Sequence, residues 1–142
     1  MKRFLLTTLT LIAIGGLIAG CGDSDSDKDG VYPIEVQVTE ADEGSTVRLA
    51  VGGELIVALA SNPTTGFSWS VSEDSDEALV LQGEPRYVPA GSTTPVVGAG
   101  GTEVFTFEAE ETGSARLMLE YRRPFEPGVA PERTFSVSVE IR

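Results

Sequence analysis

There is no histidine in this chain of 142 residues, and there is only one cysteine. These absences exclude zinc sites built from cysteine and histidine, catalysis by a Ser-His-Asp or Cys-His arrangement, and an internal disulfide. Basic residues are also few, since 10 Lys and Arg stand against 22 Asp and Glu, for a formal net charge of -12. So acidic a chain does not favour contact with nucleic-acid phosphates, and we expect no nucleic-acid partner.

The start of the chain carries its one long apolar run. Residues 1–20 open with the basic Lys2 and Arg3 and continue as an apolar stretch. This layout is typical of a secretory signal peptide, and the stretch is short for a membrane-spanning helix. Residues 17–20 read LIAG and are followed directly by Cys21. That ending resembles the lipobox of bacterial lipoproteins, in which the cysteine thiol accepts a diacylglyceryl group.

The lipobox resemblance implies how the protein is located. Residues 1–20 would be removed as a lipoprotein signal peptide, and Cys21 would become the lipid-modified N-terminus. Two or three acyl chains hold a protein stably on a membrane where one would not. We therefore expect a protein of the cell envelope, lipid-anchored to the membrane, with its domain outside the cytoplasm on the periplasmic or extracellular face. The alternative is an ordinary signal peptide with a cysteine there by chance.

Residues 21–30 consist mainly of glycine, serine and aspartate. Such a composition cannot build a core, so it predicts a flexible acidic tether. The alternating aspartates resemble part of a calcium loop. An EF-hand loop also needs a glycine and a distal glutamate at fixed places between two helices, and this segment offers neither helix. We therefore predict no metal site and no cofactor.

Residues 31–142 are expected to form one folded domain. Apolar and polar residues alternate over short segments with regular turn signals, and no window predicts an amphipathic helix. This pattern predicts an all-β fold, an immunoglobulin-like β-sandwich of about seven or eight short strands, with a small barrel as the alternative. The strand candidates are 34–39, 46–51, 54–60, 67–71, 103–108, 117–121 and 135–141, with 78–81 and 84–88 as weaker candidates around Gly83. The large core side chains are expected to be Phe67, Trp69, Phe105, Phe107, Tyr121 and Phe135.

The segment Asn62–Gly66 follows a strand predicted to be buried and reads NPTTG. A residue before proline is pushed towards extended backbone, as is expected for Asn62, and Pro63 fixes its own φ. Gly66 can adopt positive φ, which lets the chain turn back. These residues predict a stiff, projecting loop that presents Thr64 and Thr65. Taken alone, they are equally typical of an ordinary turn between strands.

Two later loops carry further signals. Gly98–Gly101 is rich in glycine but lacks the strand-to-helix context and the lysine of a phosphate-binding loop. Glycine also lets the backbone of a partner approach closely. Arg123–Phe125 places an aromatic residue beside arginine and proline, which is typical of an interface anchor. The alternative is that Phe125 folds onto its own domain.

Together the three segments resemble the chagasin family of inhibitors of papain-like cysteine peptidases. The family pattern is Asn-Pro-Thr-Thr-Gly followed by an aromatic residue and a tryptophan, then Gly-x-Gly-Gly, then Arg-Pro-Trp or Arg-Pro-aromatic. This sequence has the same elements in the same order, with Phe67 and Trp69 after the first segment. It departs from the pattern at Phe125, where many members have tryptophan. Phenylalanine keeps the stacking face but loses area and the indole N–H.

The resemblance implies a reversible, tight-binding inhibitor rather than an enzyme. The three loops would lie side by side at one end of an immunoglobulin-like sandwich and fill the active-site cleft of the peptidase. The first loop would cover the catalytic cysteine and histidine of the peptidase, the second would lie on the non-primed side, and the third on the primed side. The implied partner is a papain-like cysteine peptidase, bound by a monomeric inhibitor. The implied binding residues are Asn62, Pro63, Thr64, Thr65, Gly66, Gly98, Ala99, Gly100, Gly101, Arg123, Pro124 and Phe125.

Two other function classes share the same sequence features. A surface-anchored immunoglobulin-like adhesion or assembly module would have this fold without inhibitory activity, because fold alone does not fix function. An enzyme would have to draw its acid–base chemistry from Asp, Glu, Lys or Tyr, and no paired-carboxylate motif is present. Inhibition of papain would distinguish the peptidase inhibitor from the adhesion or assembly module and from the enzyme.

Overall fold

A computed structural model describes residues 30–91 and 98–142 of the chain, and Val31–Arg142 form one compact unit. The predicted signal peptide, the lipidation site Cys21 and residues 21–29 of the predicted tether lie outside the described residues. Within the described ranges, no helix is long and apolar enough to cross a membrane. The same ranges hold no group of three or more side chains placed to bind a metal ion.

The described chain contains nine strands and two single 3-10 turns. This confirms the predicted all-β class. The strands are β1 (Glu35–Thr39), β2 (Thr46–Leu49), β3 (Glu54–Ser61), β4 (Ser68–Val71), β5 (Leu79–Leu81), β6 (Arg86–Pro89), β7 (Gly101–Ala109), β8 (Gly113–Arg122) and β9 (Arg133–Ile141). The 3-10 turns are Glu40–Asp42, after β1, and Pro63–Thr65, after β3.

The strands form two sheets, as a sandwich requires. One sheet has the order β1-β3-β7, with both β5 and β6 on the far edge of β7, and the other has the order β2-β9-β8-β4. The pairs β1–β3 and β2–β9 are parallel, and the remaining pairs are antiparallel. Strands β5 and β6 are two pieces of one edge, interrupted where Gly83 takes a φ of 68°. Both of the weaker strand candidates form strands, so the described residues hold nine strands rather than the predicted seven or eight.

The core lies between the sheets and follows the period-two alternation of the strands. In β3 the side chains of Leu55, Val57 and Leu59 are fully buried, while the residues between them are partly or fully exposed. Five of the six predicted large core residues are buried, namely Trp69, Phe105, Phe107, Tyr121 and Phe135. Phe67 is only partly buried because β4 begins one residue later and leaves Phe67 in the loop. Burying a large apolar side chain contributes roughly 1.5–3 kcal/mol, so each of these buried residues contributes substantially to the stability.

Strand β8 extends beyond its neighbour β4, and the segment after β4 covers the uncovered edge. The Ser72 N–H donates to the Met118 carbonyl at 2.9 Å. The Ser75 hydroxyl donates to the same carbonyl at 2.8 Å and accepts the Met118 N–H at 2.9 Å. The Asp76 carboxylate accepts the Arg116 N–H at 2.6 Å. Side chains thus take the place of a strand on this part of the edge, which otherwise is a template for pairing with another chain.

The beginning of the domain is attached to the end of β9. The Tyr32 hydroxyl donates to Glu140 Oε1 at 2.8 Å, and Arg142 Nη2 lies 2.7 Å from the same oxygen. The hydrogen bond from Tyr32 is the main cause that lowers the pKa of the Glu140 carboxyl. Because the pKa is lowered in the folded state, this contribution to stability is present at neutral pH and is lost as the pH falls through that pKa.

Candidate functional site

The first loop is a short, closed turn at the end of β3. Asn62 has φ -136° and ψ 86°, outside the helical region, as expected before proline. The turn is closed by hydrogen bonds from the Thr65 N–H to the Asn62 carbonyl at 3.1 Å and from the Gly66 N–H to the Pro63 carbonyl at 3.0 Å. Gly66 has φ 79°, which confirms the positive φ predicted for it. Pro63, Thr64 and Thr65 are exposed, so the loop projects from the sandwich.

Asn62 organises this loop through hydrogen bonds. Its Oδ1 accepts the Thr64 hydroxyl at 2.6 Å, and its backbone carbonyl accepts the Thr65 hydroxyl at 2.7 Å. Its N–H donates to the Tyr121 hydroxyl at 2.9 Å, and its side-chain Nδ2 donates to the Gly98 carbonyl at 3.4 Å. The hydroxyl protons of Thr64 and Thr65 are therefore both used inside the loop, and their hydroxyl oxygens keep acceptor capacity for a partner.

The second loop contacts the first through Gly98. Gly98 is exposed and has φ 89°, a conformation that side chains rarely adopt, and its carbonyl is the acceptor for Asn62. Ala99 and Gly100 are partly buried, and the Gly100 carbonyl accepts the Ala90 N–H at 3.1 Å. The second loop is thus joined both to the first loop and to the end of β6.

Gly101 has a role within the domain. It is the first residue of β7 and pairs with the last residue of β6. A Cβ at this position would lie 2.5 Å from Cζ and the hydroxyl oxygen of Tyr87 and would also collide with the Val88 carbonyl. At Gly101 the space that glycine leaves is filled by Tyr87 and Val88 of the same domain. At Gly98 no atom lies within 4 Å of the Cβ position, so that space is open.

The third loop is a tight turn with Phe125 at its tip. The Glu126 N–H donates to the Arg123 carbonyl at 3.1 Å, which places Pro124 and Phe125 at the two central positions of the turn. Phe125 is 68% exposed. Its Cε1 and Cζ atoms lie 3.2 Å from the position that a Cβ of Gly66 would occupy. One edge of the ring therefore contacts the first loop, and most of the ring faces solvent.

Arg123 is committed to contacts within the domain. Its guanidinium carbon lies 4.5 Å from the centroid of the Phe67 ring, a cation–π contact. Its Nη1 lies 3.4 Å from Glu126 Oε1. Its Nε is buried and has no hydrogen-bond partner among the described residues. The arginine of the motif thus supports the aromatic residue that follows the first loop.

An aromatic cluster lies beneath the loops, and its contacts were not predicted from the sequence. The Phe67 and Tyr121 rings stack with centroids 5.3 Å apart, and the Trp69 ring lies 5.1 Å from Tyr121. The backbone N–H of Trp69 donates to Glu103 Oε2 at 2.9 Å, so a carboxylate on β7 contacts β4, the edge strand of the other sheet. Only the alternation of aromatic and polar residues pointed to this cluster, and it could not reveal the partners.

The geometry defines a binding surface of one class. Segments far apart in the sequence meet at one end of the sandwich, where Gly98 and Phe125 both contact the Asn62–Gly66 loop. The first loop, Asn62–Gly66, carries no charged residue, and its exposed threonines are held by internal hydrogen bonds. A firm, uncharged projection can enter the cleft of another protein without burying an unpaired ion. These are the properties of a proteinaceous inhibitor.

The chain belongs to the chagasin family of peptidase inhibitors, whose family model matches residues 48–139. Chagasin from Trypanosoma cruzi is 37% identical over 92 residues, which cover 63% of this chain and 82% of chagasin. Amoebiasin-1 from Entamoeba histolytica is 34% identical over 107 residues, which cover 75% of this chain and all of amoebiasin-1. The family members are inhibitors of cysteine peptidases and not enzymes, which confirms the inhibitor prediction.

Solved structures have the same fold. The structure of Leishmania mexicana ICP has a TM-score of 0.53 at 32% identity and covers 80% of this chain and 100% of its own. The crystal structure of a cysteine protease inhibitor from Entamoeba histolytica has a TM-score of 0.66 at 23% identity, and covers 76% and 96% of the two chains. At that lower identity the likeness concerns the fold alone.

Proposed function

We propose that this protein inhibits papain-like cysteine peptidases reversibly, by filling the active-site cleft with its three loops. The observation that carries the proposal is the contact of the first loop with both other segments, through the Gly98 carbonyl and the Phe125 ring. Three sequence segments thereby form one continuous surface. A single domain carries the whole surface, so one copy of the chain suffices, and we propose that it acts as a monomer.

Each loop has a part in this proposal. The Asn62–Gly66 loop covers the catalytic cysteine and histidine of the peptidase, Gly98–Gly101 lies along the non-primed side, and Arg123–Phe125 packs on the primed side. Because the first loop is already ordered by internal hydrogen bonds, it loses little conformational entropy on binding. Inhibition is by occlusion and needs no reaction on the inhibitor. We expect an interface of standard size, about 1,600 Å² in total.

The direct test uses the domain alone. Val31–Arg142 form one compact unit, so this fragment is expected to inhibit papain reversibly and to leave trypsin-like serine peptidases unaffected. Steady-state inhibition over a panel of both enzyme classes, followed by dilution to recover activity, measures this. A fragment that is folded by circular dichroism and inhibits no papain-like enzyme would contradict the proposal. Inhibition of both classes to the same extent would contradict the proposed fit to one type of cleft.

We further propose that Cys21 is lipid-modified and that the inhibitor domain is displayed outside the cytoplasm. The support is the basic and apolar start of the chain and the LIAG sequence before its single cysteine. Cys21→Ala is expected to move the protein from the membrane fraction to a soluble or missorted fraction, because the acyl chains are the anchor. Fractionation and intact mass measure this, with Ser24→Ala as a matched control in the adjacent segment. A wild-type mass without lipid would refute the proposed anchor.

A further inference from the structure

We infer that Tyr121 and Arg133 are positioning residues, which hold the base of the first loop in its binding conformation. The inference rests on the proposed function for its effect on inhibition. The two residues face each other in the register of β8 and β9, and Trp69 of β4 pairs with Tyr121 on the other side. Neither Tyr121 nor Arg133 belongs to the three loops that form the binding surface.

Tyr121 contacts both ends of the first loop. Its hydroxyl accepts the N–H of Asn62, where the loop begins, at 2.9 Å. Its ring stacks on Phe67, directly after the loop ends, with an angle of 21° between the ring planes. Because β8 has a paired strand on each side here and Tyr121 is only 4% exposed, the side chain is a fixed point.

Arg133 supports the same ring and the strand that leads into the loop. Its guanidinium carbon lies 4.2 Å from the Tyr121 ring centroid and 5.1 Å from that of Trp69. Its Nη2 donates to the Ala60 carbonyl at 2.9 Å. The arginine thus joins the aromatic cluster to the residue two positions before Asn62.

Ala60 needs these contacts because β3 is longer than its neighbour β1. The pairing of the two strands ends at Thr39 opposite Ala58, so at Ala60 the edge of β3 that faces away from β7 has no strand beside it. The Glu40 carboxylate accepts the Ala60 N–H and lies 4.0 Å from Arg133 Nη1. The Ala60 carbonyl accepts both Arg133 and the Trp69 indole N–H, the latter at 3.0 Å. Side chains therefore take over the part of the missing strand just before the loop.

The expected consequence is kinetic. A loop whose base is loosened must be ordered during binding, and binding that requires a conformational change associates more slowly. A residue that instead touched the peptidase would act mainly on dissociation. Substitution of a positioning residue should therefore lower the association rate and, in the free protein, expose the loop amides.

The experiment compares variants of the full chain by amide hydrogen exchange and by inhibition kinetics with papain. In Arg133→Met, the amides of Asn62, Thr65 and Gly66 are expected to exchange about tenfold faster or more, because their local opening becomes easier. The association rate is expected to fall by about tenfold. Tyr121→Phe removes only the hydroxyl and is expected to speed exchange at Asn62.

Arg142→Met is the matched control. Arg133 is the first residue of β9 and Arg142 directly follows its last residue, so each variant removes one positive charge from one end of the same strand. Arg142 lies about 30 Å from Arg133 along the strand, and its substitution is expected to change neither measurement. The Ala109 amide, which donates to the Gly53 carbonyl at 3.0 Å at the other end of the sandwich, reports on the fold as a whole.

Two results would overturn the inference. One is unchanged exchange of the loop amides in Arg133→Met. The other is an equal increase at Ala109, since that would make Arg133 a residue of general stability. If wild-type protein does not inhibit papain, the proposed function fails, while the exchange rates of the loop amides still decide whether Tyr121 and Arg133 position the loop.

Discussion

Thr64→Asp is expected to weaken papain binding by about 2–5 kcal/mol, a loss of tens- to thousands-fold in affinity. Thr64 is exposed at the tip of the first loop, which in the proposed complex lies at the centre of the interface. A carboxylate buried there would be desolvated without a partner, and that penalty is large. The free energy of unfolding is expected to change by less than about 1 kcal/mol, because the exposed tip makes few core contacts. Inhibition constants and thermal midpoints measured on the same samples check both values.

The control for this prediction is Thr64→Asn. Both variants lose the hydroxyl that donates to Asn62, and asparagine matches aspartate in size without its charge. We expect Thr64→Asn to retain most of the affinity, and Thr65→Asp to behave like Thr64→Asp. Intact inhibition by both aspartate variants would remove the first loop from the cleft. A loss of inhibition with an equal loss of stability would show that the loop is only structural.

Gly66→Val is expected to lower stability and affinity together. With φ at 79°, a β-branched residue would be strained by roughly 1–2 kcal/mol or more. Its Cβ would also lie 3.2 Å from two atoms of the Phe125 ring, so the valine side chain would displace that ring in the third loop. Because one substitution would disturb two loops, the affinity should fall by more than the loss of stability alone accounts for. Thermal midpoints and inhibition constants for papain, measured on the same samples, check the two losses.

Gly52→Val separates the two causes. Gly52 has φ 76° but nothing within 4 Å of its Cβ position, and it precedes β3 at the end away from the loops. The Gly52→Val variant should lose stability and keep its affinity.

Phe125→Ala should weaken binding mainly through faster dissociation. Adding Gly66→Val to Phe125→Ala should cost less affinity than adding Gly66→Val to the wild type. Equal losses in both backgrounds would show that the contact between the loops has no part in inhibition.

The strands could be predicted because their signal is local. Alternation in residues 135–141 and the apolar run 54–60 each identify a strand with one buried face, and β9 and β3 follow with small shifts at their ends. Phe67 was assigned to the core by the same rule, yet it lies at the base of a loop. The rule fails there because the position where a strand begins depends on its partner, in this case the end of β8 opposite Ser68.

The contacts that hold the loops could not be predicted in this way. Asn62 was expected to have extended backbone before a proline and, by the family resemblance, to be among the binding residues. The sequence did not show that Asn62 holds the loop together, although asparagine readily bonds to nearby backbone. Its bond to Gly98 joins residues 36 positions apart, and its bond to Tyr121 joins residues 59 positions apart. No local pattern indicates such partners. Arg133 carried no signal at all, since its role arises only where β1 ends before Ala60.

The Ser75 hydroxyl and the Asp76 carboxylate that cover the edge of β8 would have a further consequence if the protein is lipid-anchored, as we propose. A lipid-anchored layer would confine many copies to two dimensions, where neighbouring molecules collide far more often than in solution. A bare strand edge would turn those collisions into lateral sheet growth. Because the protein's own side chains already occupy this part of the edge, they would limit such growth from β8, and the loops at the end of each domain would remain available in a dense layer.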